Sequence, residues 1–354
     1  MTSPHIARPE LLDADPLAAT GRPVRWGVVA TGRIAATVTA DLALLPDAVL
    51  HAVSSRDADR SAAFAERFGF ATSYSDTAER RGHEALFADP DVEVVYVATP
   101  HAQHADVVRA ALTAGTSVLC EKPMTINARE AQELVELARE RGLFLMEAVW
   151  TRFLPAYQRA LQIARSGELG TVHWVAAEVG FPAPPDPTAR IWARADGGGA
   201  LLDLAVYPLL WAWGTLGLPD SVTAAGSQNA EGVDAQNGLM LGYASGAQAQ
   251  LTTSLLARSP HSAVVCGSAG WLRAQGPDSV YRPTRLDVQV GEDDVRTEEF
   301  GLIGSGYVHE LREVLRCLQQ GETQSPVMPL EHTLAGMRLL DGVRAQLGVG
   351  YPND

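Results

Sequence analysis

The chain has 354 residues, 46% of them hydrophobic, which is more than one domain usually needs and enough for two buried cores. Its 42 acidic residues outnumber 28 basic ones, and the formal charge of -14 repels both a phosphate backbone and an anionic bilayer surface, so a small-molecule partner is expected rather than nucleic acid or membrane. Three cysteines, Cys120, Cys266 and Cys317, have neither metal-ligand spacing nor an even disulfide count, which fits a reducing, cytoplasmic setting.

Residues 1–22 mix Pro, Asp, Arg and Ala without an apolar run and are expected to be a flexible tail, neither signal peptide nor membrane span. From Val24 onward, short β-branched runs at 24–30, 49–54, 92–98, 117–120 and 144–147 alternate with amphipathic stretches such as 102–114 and 128–141. Such alternation predicts parallel strands joined by crossover helices, a doubly wound α/β dinucleotide-binding domain over 23–148. After Trp150 the rhythm changes. A helix at 155–166, an alternating strand at 172–179, a Pro-rich stretch and a helix at 201–216 precede short runs broken by Gly, Asp and Pro up to residue 300. These leave no room for crossover helices, so a C-terminal α/β domain over 149–354 with a large open, mostly antiparallel sheet is expected. Helices at 306–318 and 330–347 close the chain, the last free to pack back on the first domain.

The first strand runs into Ala30-Thr31-Gly32-Arg33-Ile34-Ala35, a glycine-rich fingerprint with alanine at its first and third glycine places. Gly32 still lets the backbone approach a pyrophosphate, and the following helix offers its first amides, so Thr31, Gly32, Arg33 and Ile34 are candidate cofactor contacts. An ordinary strand-to-helix turn is the plainer alternative. At the end of the second strand, where an NAD enzyme sets an acid against the ribose, Ser55 stands instead, followed by Arg56 and, one turn later, Arg60. Two guanidinium groups suit a 2'-phosphate, so NADP is favoured and NAD stays open, unless both arginines are plain surface charges.

The strand from Val94 ends in Thr99-Pro100-His101, at the edge of the sheet where open parallel sheets bind ligands, with His104 just beyond. The next strand ends in Cys120-Glu121-Lys122-Pro123. Pro123 biases Lys122 toward extended geometry, so its amine can be held over the same crevice, to donate to a carbonyl oxygen or favour a neighbouring anion. Cys120 reads as a small apolar filler. His101 and His104 lack a third ligand at suitable spacing, so no metal is expected, and cofactor contact or packing at the helix start is the reading for both.

These segments, together with Arg25-Trp26-Gly27, Met146-Glu147-Ala148-Val149-Trp150-Thr151-Arg152-Phe153 and Gly197-Gly198-Gly199-Ala200-Leu201-Leu202-Asp203-Leu204-Ala205-Val206-Tyr207-Pro208, resemble the glucose-fructose oxidoreductase/inositol dehydrogenase (Gfo/Idh/MocA) family, and within it the dimeric dihydrodiol dehydrogenase branch. The resemblance implies a Rossmann domain followed by an α/β domain whose sheet makes a homodimer or higher homo-oligomer contact. It also implies cofactor contacts from Thr99, Pro100, His101, His104, Glu121 and Lys122, and catalytic roles for Lys122, Asp203 and Tyr207. Read from the residues alone, Asp203 and Tyr207 are four apart on a glycine-started helix and so share a face. A helix cap for Asp203 and a core aromatic for Tyr207 are the structural alternatives.

Trp150 and Arg152 follow the last Rossmann strand and are candidates, with Asp203 and Tyr207, for lining the substrate pocket. For Arg152 a buried ion pair fits equally well. The stretch 181–187, leading to Arg190, Trp192 and Arg194, reads as a loop over the pocket or as plain surface. The helix bearing Tyr307, Glu310 and Val314 reads as core packing. The expected chemistry is hydride transfer between a nicotinamide and the CH-OH or C=O carbon of a sugar, polyol or trans-dihydrodiol-like substrate, with Tyr207 exchanging the hydroxyl proton and Lys122 favouring its anion. Two rivals stand beside it, a non-catalytic nicotinamide-binding sensor and an NAD-dependent glycosidase. Lys122, Asp203 and Tyr207 count against the first, and Arg56 with Arg60 against the second.

Overall fold

A computed structural model describes residues 14–184, 186 and 189–354. They form two compact units, one of Asp15–Trp150 with Ile303–Ala335 and one of Thr151–Leu302 with Gly336–Asp354.

In the first unit β1 (Val24–Val29), α1 (Arg33–Leu42), β2 (Ala48–Ser55), α2 (Ala58–Phe68), β3 (Thr72–Ser75), α3 (Gly82–Phe87), β4 (Val94–Val97), α4 (His101–Ala114), β5 (Ser117–Glu121), α5 (Ala128–Arg141) and β6 (Leu145–Ala148) alternate. The strands are parallel in the order β3-β2-β1-β4-β5-β6. This is the doubly wound sheet expected. Every residue of β4 and β5 is buried, as strands with both faces covered require, which is why they read as unbroken apolar runs. β3 and α3 are additions to the expected set. β3 is Thr-Ser-Tyr-Ser at the sheet's edge and only half buried, so hydrophobic periodicity does not mark it. Strand order reverses about β1, so the carboxyl ends of β1 and β4 flank the switch point where such sheets bind nucleotides.

The second unit starts at Thr151, inside a 3-10 turn over Trp150–Phe153, and continues with α6 (Pro155–Ser166), β7 (Val172–Gly180), α7 (Ala200–Leu204) and α8 (Val206–Leu216). Strands β8 (Ser221–Gln228), β9 (Asp234–Gly242), β10 (Gln248–Ser254), β11 (Ala263–Gly267), β12 (Gly270–Gln275), β13 (Arg285–Val290) and β14 (Arg296–Glu299) follow. With β7 they form an eight-stranded sheet, β14-β13-β12-β11-β7-β10-β9-β8, antiparallel except between β7 and β10. One face buries Val175, Ala249, Leu251, Val265, Leu272 and Val288, with α8 packed on β7, while the other leaves Trp174 and Met240 40% and 42% exposed. The single helix expected over 201–216 is broken at Ala205. No single helix among the described residues is long and apolar enough to cross a membrane, and the segments Arg194–Leu204 and Val206–Leu216 reach that length only together, bent by 41°.

The chain then returns to the first unit. Residues 303–335, placed in the second domain by the sequence reading, include α9 (Val308–Gln320) and cluster with the nucleotide-binding sheet, while α10 (Leu330–Leu347) runs on past them. Asp41 on α1 accepts the backbone N–H groups of Ser305 and Tyr307, both at 2.8 Å, at the start of α9, where a carboxylate meets the positive end of the helix dipole. Arg312 on α9 forms a buried ion pair with Asp47 at 2.7 Å. Residues 1–13 of the expected tail lie outside the described residues. Residues 15–22 are pinned rather than loose, with Thr20 N donating to Asp47 Oδ2 at 3.0 Å and Arg312 Nε donating to Pro16 O at 2.8 Å.

Candidate active site

The loop after β1 shows how an alanine serves at a glycine place. Ala30 has a φ of +86°, the left-handed conformation for which the fingerprint normally uses glycine, and its N–H donates to Ser54 O at 2.9 Å. Gly32 caps α1, and a Cβ there would meet nothing within 4 Å, so the space beside the first amides of the helix is open to a ligand. No acidic residue lies in the first turn of α1 to compete for that positive end. Ala35 at the third place is buried. Thr31 is half-buried and Ile34 likewise, with Thr31 Oγ1 3.5 Å from Ser55 Oγ at the end of β2. Asp57, the acid beside Arg56, is occupied in capping α2, where it accepts from Arg60 N at 2.8 Å. Arg33, Arg56 and Arg60 are exposed, and among the described residues none of them makes an ion pair.

At the carboxyl ends of β4 and β5 the candidate residues gather. Thr99 Oγ1 is buried with no hydrogen-bond partner among the described residues, as a hydroxyl awaiting a ligand group would be. The fully buried ring of His104 bridges two loops, Nδ1 meeting Pro123 O at 2.9 Å and Nε2 meeting Thr99 O at 2.8 Å. The buried His101 ring stands edge-on to it at 5.7 Å. Through His104 the turn after β4, Thr99-Pro100, is tied to the Lys122-Pro123 turn. Glu121 accepts from Tyr96 Oη at 2.5 Å and from Lys122 N at 3.2 Å. Burial, then Glu121, holds the Tyr96 phenol well above its usual range, so it stays a neutral donor. The Lys122-Pro123 peptide is cis and Lys122 is half-buried. Glu147 steadies the next residues, accepting Met124 N at 3.1 Å and Thr333 Oγ1 at 2.8 Å. Cys120 is fully buried, and burial, then Glu121, pushes its thiol far up, as suits a small apolar filler.

Four positions gain detail in the structure. Trp150, 5% exposed, stacks on Tyr307 with ring centroids 4.5 Å apart. Tyr307 is half-buried. Glu310 on the next turn of α9 is fully buried, both carboxyl oxygens lack a hydrogen bond among the described residues, and burial followed by Glu121 and Asp41 pushes it well up, so it is held neutral. Arg152, in the second unit, is 1% exposed, which favours the structural reading over a ligand contact.

The long glycine motif is explained by Asp234. Its Oδ2 accepts Leu201 N at 2.8 Å and Asn237 Nδ2 at 2.7 Å, so this carboxyl caps α7. Gly199, at φ +115°, passes so close that a Cβ would lie 2.5 Å from Asp234 Oδ1. A Cβ on Gly198 would lie 2.7 Å from the carbonyl oxygens of Arg190 and Ile191. Asp203 is half-buried on α7, and Tyr207, 8% exposed, opens α8. The break at Ala205 therefore falls between them, which corrects the single-helix reading. The ring of Tyr207 lies 5.0 Å from that of Tyr281, which bonds to Asp278, itself 3.1 Å from His261 Nδ1. Sequence reading missed all three, because they sit in two irregular stretches, before β11 and between β12 and β13, with no periodicity. Of the stretch 181–187, Pro185 and Pro187 lie outside the described residues. Phe181 N and Ala183 N donate to Ser254 O and Leu255 O, so it begins as a continuation of the sheet rather than a free loop.

Two surface clefts, around Thr284 and Arg285 and around Arg80 and Arg109, contain none of the candidate residues. Among the described residues, His51, Asp89 and Asp91 group with the chemistry of metal ligands, but Asp89 Oδ2 is already met by His51 and Tyr74 at 3.0 and 2.9 Å.

Residues 24–149 match the profile of an oxidoreductase family with an NAD-binding Rossmann fold, GFO_IDH_MocA, and residues 157–273 match the GFO/IDH/MocA C-terminal domain. The trans-1,2-dihydrobenzene-1,2-diol dehydrogenase of Bos taurus is 37% identical over 341 residues, covering 94% of this chain and 99% of its own. That of Mus musculus is 35% identical over 340 residues with the same coverage. Among solved structures, the 3-ketoreductase of Actinomadura kijaniata with NADP and TDP-benzene has a TM-score of 0.79 and 28% identity over 92% of this chain and 98% of its own. The protein is thus an NAD(P)-binding oxidoreductase with a Rossmann unit and an α/β unit, and it belongs to the Gfo/Idh/MocA family.

Proposed function

We propose that the protein is an NADP-dependent dehydrogenase or reductase that moves a hydride between the nicotinamide and the CH-OH or C=O carbon of a sugar, polyol or trans-dihydrodiol. The observation that carries this reading is the gathering of Thr99, His101, His104, Glu121 and Lys122 at the carboxyl ends of β4 and β5, beside the switch point of the sheet. The open space at Gly32 and the unpaired Thr99 hydroxyl fit a dinucleotide, and the exposed Arg33, Arg56 and Arg60 fit a 2'-phosphate. The names of the relatives, a dihydrodiol dehydrogenase and a ketoreductase solved with NADP, agree with the substrate class and cofactor.

Bound NADP supplies the hydride acceptor or donor. In the oxidative direction Tyr207 takes the substrate's hydroxyl proton as the C–H bond is broken, and in the reductive direction it returns that proton to the new alkoxide. The ammonium of Lys122 favours the tyrosinate over the phenol, and Asp203 orients the substrate hydroxyl. Homodimers through the open face of the eight-stranded sheet complete the reading, since that face leaves Trp174 and Met240 in solvent.

The test is the appearance of reduced nicotinamide with NADP+ or NAD+ and a panel of trans-1,2-dihydrobenzene-1,2-diol, levoglucosan, aldoses and inositols. Turnover with at least one compound, faster with NADP+, is expected. Tyr207→Phe is expected to lower kcat by about 100-fold or more while NADPH binding, followed by fluorescence, stays within about twofold. Full turnover by that variant removes the tyrosine from the chemistry, and tight NADPH binding without turnover on any compound favours a sensor.

A further inference from the structure

We propose that Tyr281 is the positioning residue for Tyr207, a second tyrosine that fixes the ring of the one exchanging the proton. The proposal rests on the reading of Tyr207 given above and adds to it a residue and a supporting network.

Tyr207 and Trp211 are four apart on α8 and so share a face. That face lies on the turn at 278–282, where Trp211 Nε1 donates to Val280 O at 2.7 Å and the Tyr207 ring meets the Tyr281 ring at 5.0 Å, tilted by 40°. The turn is held by other bonds. Val280 N and Ser279 Oγ donate to His261 O at 2.8 and 2.7 Å, and Thr151 Oγ1 donates to Tyr281 O at 2.6 Å. The far end of Tyr281 is anchored as well, because its phenol is hydrogen-bonded to Asp278, which also accepts from Arg282 at 2.7 Å and meets His261 Nδ1 at 3.1 Å.

His261 supplies an independent sign that this support is specified. It is a non-glycine residue at φ +57°, its Nε2 meets Gly180 O at 2.8 Å, and its ring lies 5.8 Å from that of Tyr281. Such conformations persist where the surroundings over-determine them and cluster at working sites. Asp278 faces opposing influences. Burial disfavours its charge, but hydrogen bonds from Tyr281, His261 and Arg282 prevail and hold it below the usual carboxylate range. Next to that carboxylate the Tyr281 phenol, pushed far up by burial and then by Asp278, keeps its proton. Tyr281 therefore stays a neutral phenol. It is a ring locked at its hydroxyl end, and Tyr207, itself 8% exposed, lies against it.

The experiment uses the full chain with NADP+ and trans-1,2-dihydrobenzene-1,2-diol, or whichever compound of the panel gives the highest rate. Tyr281→Ala is expected to lower kcat by about tenfold or more while the affinity for NADPH stays within about twofold. Tyr281→Phe keeps the ring but gives up its bond to Asp278, and is expected to show a kcat between those of Tyr281→Ala and the parent. In a Tyr207→Phe background Tyr281→Ala is expected to add less than about twofold, because the residue it positions is already disabled. A kcat for Tyr281→Ala within about twofold of the parent, or a full further loss in the Tyr207→Phe background, overturns the proposal. Full turnover by Tyr207→Phe alone overturns instead the reading of Tyr207, so the two failures are told apart. Crystal structures give a readout that needs no turnover. The Tyr207 ring is expected to be rotated in Tyr281→Ala, and an unmoved ring there overturns the proposal. If Tyr281→Ala does not fold, Tyr281→Leu keeps the bulk without the flat ring and carries the same expectations.

Discussion

Ala30 sits at a glycine's place with a φ of +86°, a conformation that costs an ordinary residue about 1–2 kcal/mol. Replacing an alanine by glycine inside a strand normally destabilises by about 0.5–1 kcal/mol, so the sign of the change is diagnostic here. Ala30→Gly is expected to raise stability by about 0.5 kcal/mol in urea denaturation with NADPH affinity unchanged; a loss of about 1 kcal/mol would mean that the alanine methyl, not the backbone, matters most there. The fingerprint is legible in the sequence because its spacing survives the two alanines. Lys122 is legible because a proline after a buried strand end narrows what that lysine can do. Tyr281, Asp278 and His261 are not legible, since a strained histidine and two turn residues carry no periodic mark, and only the folded chain brings them beside Tyr207.

Among the elements, α7 depends on one buried carboxyl. Asp234 caps it through Leu201 N, and burial pushes that carboxyl up to about 6. An aspartate near 6 in the folded chain and near 4 in the unfolded one is still protonated in the former where it is already ionised in the latter. Between these two values the folded state holds more protons, so this group's contribution to stability falls as pH rises through that window, by about 3 kcal/mol in all, and is level above it. Asp234→Asn keeps an oxygen for Leu201 N and removes the titration. Denaturation at about pH 4.5 and about pH 7 is expected to show the variant gaining on the parent by about 2 kcal/mol over that interval, and parallel behaviour would mean that the carboxyl is not buried as described. The long strands and most helices are legible from their periodicity. β3 is not, being short, polar and at an edge, and neither is the break at Ala205, where an apolar helical pattern continues across a bend of 41°.

The whole molecule poses the question of what covers the open face of the eight-stranded sheet, with Trp174 and Met240 both about two-fifths exposed. If that face is the homodimer contact, Trp174→Glu with Met240→Glu is expected to halve the mass seen by light scattering without loss of folding, whereas an unchanged mass moves the contact elsewhere. The open antiparallel sheet is legible from the density of short runs. The return of residues 303–335 to the first unit is not, because strand and helix patterns say what an element is and not which sheet it joins. That return has a consequence for synthesis. Asp41 and Asp47 leave the ribosome long before Ser305, Tyr307 and Arg312, so during most of translation both carboxylates lack these partners. The nucleotide-binding unit is complete only when the chain is nearly finished, and a gene fragment stopping near Trp150 encodes its whole sheet without the segment that pairs with Asp41 and Asp47.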